Sequence, residues 1–162
     1  IGSLLMGGAY ATTVVSGVHH MYNVIEAGMI SADGINTWMP IASAANVAQG
    51  AAALAVALKV RDKKIKALAI PASLSAFLGI TEPAIFGVNI RYMKPFIAGS
   101  IGGACGALVA SIFNVGATAY GVTGVFGFLI TTNSAFGYLL TLVVSASVAF
   151  VISWVLGIDE NK

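Results

Sequence analysis

The chain has 162 residues, of which 58% are hydrophobic and 9% are charged, and its mean hydropathy is +0.92. A soluble domain carries roughly a quarter charged residues. The composition therefore excludes a soluble domain and predicts an all-α polytopic membrane protein, because helices satisfy their backbone groups within one segment. The net charge of +2 is too small to indicate a nucleic-acid partner. The single cysteine, Cys105, excludes an internal disulfide and a cysteine-based zinc site, and we expect neither a metal nor another cofactor.

Four apolar segments are candidates for membrane helices, which need about 20 apolar residues to cross the hydrocarbon core. Residues 1–18 are apolar with several glycines and have the character of a truncated span, whereas 40–58, 95–113 and 136–156 reach spanning length. The chain starts at Ile1 without a secretory signal, so we expect it to be part of a longer protein.

Basic residues mark the sidedness of the chain. They are Lys59, Arg61, Lys63, Lys64 and Lys66, then Arg91 and Lys94, and finally Lys162. Basic residues concentrate on the cytoplasmic side, so residues 67–90 must enter and leave the membrane on that side, as a re-entrant hairpin. Pro71, Gly79 and Pro83 are placed to break or cap short helices there. Because non-helical backbone at membrane depth requires protein or a watery cavity around it, the hairpin predicts a cavity.

The hairpin sets the direction of the remaining segments. We expect 1–18 and 95–113 to run outward and 40–58 and 136–156 to run inward. This leaves three terminal residues in the cytoplasm: Asp159, Glu160 and Lys162. Residues 19–38 are too polar for a lipid-facing span, and they form either a second hairpin or an external loop.

Small residues recur on the segment 95–113. Gly99 with Gly103, and Gly102 with Gly106, have the small-xxx-small spacing that lets neighbouring helices approach closely. We expect this face to pack against other helices.

Glu82 is the strongest candidate for chemistry, since ionisable groups inside a membrane are costly and usually functional. It lies between a turn glycine and Pro83, where Thr81 could cap a following helix whose first turn favours a carboxylate. A carboxylate accepts hydrogen bonds from sugar hydroxyls and could take a proton from one of them. The structural alternative is a buried ion pair with Arg91 or Lys94.

Other polar side chains are weaker candidates. His19 and His20 are adjacent, so on a helix they point about 100° apart and at most one should face a cavity. Tyr22 and Trp38 suit an interfacial aromatic belt better than a sugar-stacking role. Three amides either line the path or bond across helices: Asn46, Gln49 and Asn89. No nucleotide-binding motif is present, so the chain is not expected to handle ATP.

The sequence around Glu82 resembles a known family. GITEP at 79–83, followed by AIFGVN at 84–89, is similar to the signature of enzyme IIC of the phosphoenolpyruvate-dependent sugar phosphotransferase system. The His19–His20 pair after Gly17 and Val18 fits the same family. Within it, NVAQG at 46–50 and IEAG at 25–28 are most similar to sucrose permeases, with trehalose and β-glucoside permeases as close relatives.

The resemblance implies a transport domain of helices and two re-entrant hairpins in the bacterial cell membrane. This domain would bind sucrose and carry it inward by a rigid-body movement of the domain. It would then present the sugar for phosphorylation to a cytoplasmic IIB domain, whose phosphocysteine is recharged by IIA. Glu82 would bind the phosphorylated hydroxyl, the glucosyl 6-hydroxyl, and act as the catalytic residue, with His19, His20 and Asn89 as further sugar contacts. Glucose- and maltose-type relatives carry an arginine where this chain has Ala11, so the hydroxyl contacts differ in part.

The resemblance also implies that residues 1–162 are the substrate-carrying C-terminal half of a longer IIC domain. The N-terminal half would supply the scaffold and a homodimer interface, and the isolated fragment would be inactive. Cys105 lacks the sequence context of the IIB phosphocysteine and is expected to be a packing residue. Two alternatives are a trehalose or β-glucoside permease of the same system and a proton-coupled secondary sugar transporter. A purely structural membrane bundle is a third.

Overall fold

The computed structural model describes residues 1–131 and 134–158, so Asp159, Glu160 and Lys162, expected in the cytoplasm, lie outside the described residues. The described part contains eight α-helices: α1 (Gly2–Val15), α2 (Tyr22–Asp33), α3 (Trp38–Lys59), α4 (Lys63–Phe77), α5 (Glu82–Ala84), α6 (Ile90–Tyr92), α7 (Lys94–Ile112) and α8 (Ala135–Leu156). Of these, α3, α7 and α8 are long and apolar enough to cross a membrane. The predicted spans 40–58, 95–113 and 136–156 are confirmed, each to within two residues at either end.

Helix α3 is the central element, enclosed by α1, α4, α7 and α8. Its sequence is rich in alanine, which lets these neighbours approach its backbone. Serines of α8 donate hydrogen bonds to carbonyl oxygens of α3, from Ser145 to Ala44 and, at 3.0 Å, from Ser153 to Ala52. Because such bonds between helices are satisfied without water, they fix the register of α8 on α3 inside a membrane.

The glycines of α7 pack as their spacing predicts. A Cβ added at Gly103 would lie 2.7 Å from the carbonyl oxygen of Gly7 on α1, and one added at Gly106 would lie 2.6 Å from Cβ of Ser145 on α8. Both distances are shorter than a carbon contact allows, so only glycine permits these approaches. The two glycine pairs thus serve two different faces of α7.

The fold-back predicted for residues 67–90 is confirmed. Helix α4 begins at a cap in which Asp62 accepts a hydrogen bond from the Lys64 N–H at 2.7 Å, and it ends at Phe77. After a turn the chain returns along α4 through α5, a π-helical turn (Ile85–Asn89) and α6. Lys64 and Arg91, at the bases of the two arms, line one cavity. The two basic clusters therefore lie at the same end of the molecule.

The breaking residues of this hairpin behave differently from one another. Gly79 has a left-handed backbone (φ +99°) at the turn, and Pro83 stands in the first turn of α5, both as expected. The expectation that Pro71 breaks a helix is wrong, since it lies inside α4. A proline removes one backbone hydrogen bond, and surrounding helices tolerate that loss in membrane proteins.

The predicted direction of the first apolar segment is also wrong. Lys59 and Lys94 donate hydrogen bonds to carbonyl oxygens at the end of α8, which defines the basic end of the bundle. Ser3, near the start of α1, lines a cavity of about 330 Å³ with Thr37 and Ser111 at the opposite end. Helix α1 therefore runs toward the basic end, antiparallel to α7. The 14-residue helix is too short to cross and carries no charge, so neither length nor sidedness indicated its direction.

Residues 19–38 do not form a hairpin of their own; they form the turn and the returning arm of a fold-back whose first arm is α1. The turn is a 3₁₀ segment, Val18–Met21, that follows a left-handed Gly17 (φ +76°). Helix α2 then leads back to the start of α3, where backbone groups of Asn36 and Ala117 pair in both directions at 2.8 Å.

The segment between α7 and α8 inserts into the bundle. A 3₁₀ helix, Gly124–Ile130, follows a loop in which Thr123 contacts the hairpin turn at Gly79. Gly124 has a φ of +72°, and a Cβ there would lie 2.3 Å from the carbonyl oxygen of Phe77. The backbones of the loop and the hairpin turn are thus in direct contact.

Candidate functional site

The turns of the two fold-backs and the inserted loop enclose a polar cavity of about 240 Å³. Its charged and polar side chains come from four separate stretches of the chain, the two fold-backs, α3 and the inserted loop, and converge on one space. They are Tyr10, His19, His20, Tyr22, Asn23, Glu26, Asn46, Thr81, Glu82 and Thr123. A concave site with several convergent polar groups is the usual form of a small-molecule site, and this is the cavity that the hairpin predicts.

Glu82 and His19 lie together at this cavity. Nε2 of His19 is 3.7 Å from Oε1 of Glu82, and their side chains are 16% and 46% exposed, respectively. The structural alternative, an ion pair of Glu82 with Arg91 or Lys94, does not fit this position, because both basic residues lie at the bases of the hairpin. A half-exposed carboxylate at the cavity wall is free to accept hydrogen bonds from a bound hydroxyl.

The local backbone at Glu82 is a tight turn. The N–H of Ile85 donates to the carbonyl oxygen of Thr81 at 2.9 Å, which closes the first turn of the returning arm. The Thr81 side chain makes no capping hydrogen bond, so the expectation that it caps the arm is wrong. Thr81 is instead a buried residue of the cavity lining.

Both histidines line the cavity, which corrects the expectation that at most one would. His19 and His20 belong to the 3₁₀ turn, and their ring centroids are 4.0 Å apart. The angular separation of an α-helix does not apply in this short turn. His20 is the more exposed of the two, and His19 is the one next to Glu82.

Asn89 lies away from the cavity. It is fully buried in the π-helical turn, and its Nδ2 donates to the backbone oxygen of Gln49 at 3.0 Å and to Oε1 of Gln49 at 2.7 Å. Gln49 in turn donates to the carbonyl oxygen of Phe96 at 3.3 Å. These two amides bond across helices, whereas Asn46 reaches the cavity and donates to Oγ1 of Thr123 at 3.1 Å.

Aromatic rings form the wall of the cavity next to α1. Tyr10 stacks on Tyr22 with centroids 5.8 Å apart, and Tyr22 packs on Trp38 at 4.4 Å. Tyr22 lines the cavity directly, and Trp38 is a buried ring that packs against Tyr22 on the side away from the cavity. The rings of Tyr22 and Trp38 pack on each other at this wall. The expectation that they belong to an interfacial aromatic belt did not include this packing.

Comparison with known proteins assigns the family. The model of the phosphotransferase system EIIC family matches residues 1–103, which is more than half of the chain. The chain belongs to the EIIC family. The resemblance inferred from the sequence around Glu82 is thereby confirmed, and the three spanning helices make this EIIC chain part of a multi-pass cell-membrane protein.

Several curated EIIC relatives are similar over most or all of the chain. The sucrose-specific EIIBC component of Bacillus subtilis (strain 168) is 46% identical over 100% of the chain and 36% of its own length. That of Salmonella typhimurium is 45% identical over 96% of the chain and 35% of its own length. The trehalose-specific EIIBC component of Bacillus subtilis (strain 168) is 41% identical over 78% of the chain and 27% of its own length.

The chain thus spans about a third of the length of the sucrose-specific relatives it matches. No solved structure matches it. In the described part of this EIIC chain, no three metal-ligating side chains come together.

Several cavity residues were not among the predicted site residues, and two of them, Thr123 and Glu26, come from different elements. Thr123 lies in an uncharged loop and offered no signal beyond the turn glycines on either side of it. Glu26 is 4% exposed, and its Oε2 accepts a hydrogen bond from Nδ2 of Asn36 at 2.7 Å. Burial raises the pKa of Glu26, and the hydrogen bond from Asn36 opposes that rise. A lone acid in a polar segment, IEAG at 25–28, was its only signal.

Proposed function

We propose that this chain binds and translocates the sugar of a sucrose permease that works by group translocation. Sucrose would enter from outside, bind at the cavity, and leave as sucrose 6-phosphate in the cytoplasm. The observation that carries the proposal is the placement of Glu82 and His19, 3.7 Å apart, on the wall of one polar cavity. The names of the sucrose-specific EIIBC relatives support sucrose as the sugar.

Glu82 is the proposed catalytic residue. Its carboxylate accepts a hydrogen bond from the glucosyl 6-hydroxyl, which orients that oxygen for attack on a phosphorus atom. As the new O–P bond forms and the P–S bond of the phosphocysteine breaks, the hydroxyl proton passes to Glu82 and the thiolate leaves. His19 holds the same hydroxyl region from the other fold-back, and His20 is a secondary contact.

The cavity suits one sugar ring. Its volume of about 240 Å³ is below the roughly 300–1,000 Å³ of sites that enclose drug-sized ligands. We propose that the glucosyl ring occupies it, with its apolar face toward Tyr22. The second ring of the disaccharide then lies toward the open side of the cavity.

The phosphoryl donor belongs to a separate domain. Cys105 lies inside α7 among apolar residues, so a cytoplasmic IIB domain would supply the phosphocysteine and IIA would recharge it. The basic end of the bundle, where Lys64 and Arg91 line one cavity, is the face on which we propose that IIB approaches. Carriage of the sugar to that face is a rigid-body movement of this chain.

We propose further that the chain is the substrate-carrying C-terminal half of an EIIC domain. The coverage of about a third of the sucrose-specific relatives agrees with this. An N-terminal half would provide the scaffold and the homodimer interface. The apolar groove between α1 and α7, lined by Leu4, Leu5 and Ile97 among others, suits contact with lipid or with that half. The isolated chain should not transport.

The test uses the intact permease that contains this chain, together with its phosphorylated partner domains. Glu82→Gln keeps the shape of the side chain but removes the proton acceptor, and Asp33→Asn, an exposed acid on α2, is the matched control. Loss of sucrose 6-phosphate formation by at least about 100-fold in the first variant alone is the expected result. Unchanged formation by Glu82→Gln would show that the assigned role is wrong.

Trehalose is the second candidate sugar, because the trehalose-specific EIIBC relative is 41% identical over 78% of the chain. Both sugars present a glucosyl 6-hydroxyl, so the chemistry at Glu82 is the same. Competition between sucrose, trehalose and aryl β-glucosides for the wild-type permease separates the candidates. We expect sucrose to compete best.

A further inference from the structure

The Glu26 carboxylate uses little of its hydrogen-bonding capacity. It lines the sugar cavity, and its residue is 4% exposed. Within the described part of the chain it accepts a hydrogen bond from one group, Nδ2 of Asn36. A carboxylate offers about four acceptor positions, and a nearly buried one with a single donor is costly to keep. Donors that enter the cavity with a ligand would remove that cost.

Asn36 holds Glu26 in place because it is itself immobilised. Its Oδ1 accepts hydrogen bonds from the N–H groups of Trp38 and Met39 at 3.0 and 3.1 Å, which orders the start of α3. Its backbone pairs with Ala117 in both directions at 2.8 Å. The Asn36 amide is therefore fixed in position. Its hydrogen bond holds the Glu26 carboxylate at the cavity wall.

A purely structural role for Glu26 is a weaker account. The bond to Asn36 needs one acceptor oxygen, which an uncharged glutamine would also supply. Burying a charged side chain costs free energy unless the charge is paired or hydrogen-bonded. Its neighbours on the cavity wall, Tyr22 and Asn23, are themselves suited to polyol contact, so Glu26 belongs to a continuous polar lining and not to an isolated cap.

We propose that Glu26 is a second sugar-binding carboxylate, which accepts hydrogen bonds from secondary hydroxyls of the ring whose primary hydroxyl binds Glu82. This inference rests on the proposed function. Glu82 belongs to the hairpin turn and Glu26 to α2, so a ring in this cavity meets acidic acceptors from two different elements. Glu26 takes no part in the transfer of the phosphoryl group. It selects glucosyl-type rings with free secondary hydroxyls.

The test measures binding of sucrose and of monodeoxy sucroses to the intact permease. In Glu26→Gln we expect the Kd for sucrose to rise by about tenfold or more, the usual effect of losing hydrogen bonds to a charged group, and Asp33→Asn to bind as wild type. The deoxy sugar that lacks the hydroxyl held by Glu26 should bind wild type more weakly than sucrose does. Glu26→Gln should bind this deoxy sugar and sucrose with equal affinity.

An unchanged Kd, or an equal loss of affinity for every deoxy sugar, would overturn the role of Glu26. Should Glu26→Gln fail to fold, Glu26→Asp keeps the charge and shortens the side chain. We expect it to lower sucrose affinity with the same dependence on the deoxy position, and unaltered affinities in that variant also overturn the proposal. The proposed function fails separately, if Glu82→Gln phosphorylates sucrose normally or if wild type does not phosphorylate it.

Discussion

Nε2 of His19 lies 3.7 Å from Oε1 of Glu82, so the turns of two separate fold-backs bring an imidazole and a carboxylate to one cavity. Neither residue is held by a spanning helix. His19 stands on the 3₁₀ turn that contacts α1 and α2, and Glu82 stands on α5, which contacts α4 and α3. A polar site at membrane depth needs such cover from packed helices, because irregular backbone there must be shielded from lipid.

The two histidines should differ in their effect on sugar binding. His19→Gln removes the side chain next to Glu82, and we expect the affinity for sucrose to fall by about 5- to 30-fold, the effect of 1–2 kcal/mol. His20→Gln is the matched control, because His20 is adjacent and more exposed, and its effect should be smaller. Titration of sucrose into each purified permease decides this, and equal losses would contradict the ranking.

Asn89 should matter for stability and not for sugar contact. Its amide joins the returning arm of the hairpin to Gln49 through two hydrogen bonds. Asn89→Ala leaves the buried Oε1 of Gln49 without its donor, which should lower the free energy of unfolding by about 1–3 kcal/mol. Phe86→Ala, an exposed position on the same arm, is the control. Thermal unfolding in detergent measures both, and a sucrose Kd changed more than the stability would contradict this view.

Helix α7 should not tolerate added volume on its glycine faces. A Cβ at Gly106 would lie 2.6 Å from Cβ of Ser145 and 2.9 Å from Cβ of Ala44. Gly106→Ala should therefore destabilise the bundle by about 1–3 kcal/mol. Gly28→Ala on α2, where nothing lies within 4 Å, should be neutral or stabilising by up to about 1 kcal/mol. Equal unfolding temperatures for the two variants would show that α7 packs otherwise.

Labelling from either side of the membrane tests the sidedness of the hairpin. In a Cys105→Ala background, Lys64→Cys and Arg91→Cys should both react with a membrane-impermeant reagent applied from the cytoplasm. Thr37→Cys, at the opposite end of the bundle, should react from outside. Labelling of positions 64 and 91 from opposite sides would mean that residues 67–90 cross the membrane once.

The spanning helices and the main hairpin could be predicted because lipid imposes simple rules. Length and apolar composition gave α3, α7 and α8 to within two residues, and two flanking basic clusters required residues 67–90 to fold back. The motif around Glu82 and the paired histidines indicated the site. The positions of Thr81 and Thr123 in the cavity wall could not be predicted from the sequence, because threonines in loops have many roles.

The structure departs from the expectations where the sequence carries no signal for the direction of a segment or for its local helical pitch. Helix α1 has no charge and spans only Gly2–Val15, so its direction depended on the fold-back that follows it. Asn89 stands in the same motif as Glu82, but the π-helical turn at Ile85–Asn89 rotates it toward Gln49. Spacing along a sequence does not reveal such a local change of helical pitch.

The structure of the intact permease with sucrose bound is the most direct test of the central claim. We predict the glucosyl ring in the cavity between the fold-back turns, with its 6-hydroxyl oxygen within hydrogen-bonding distance of the Glu82 carboxylate and His19 beside it. Sucrose bound at the opposite end of the bundle, in the cavity lined by Ser3, Thr37 and Ser111, with no contact to Glu82, would contradict the claim.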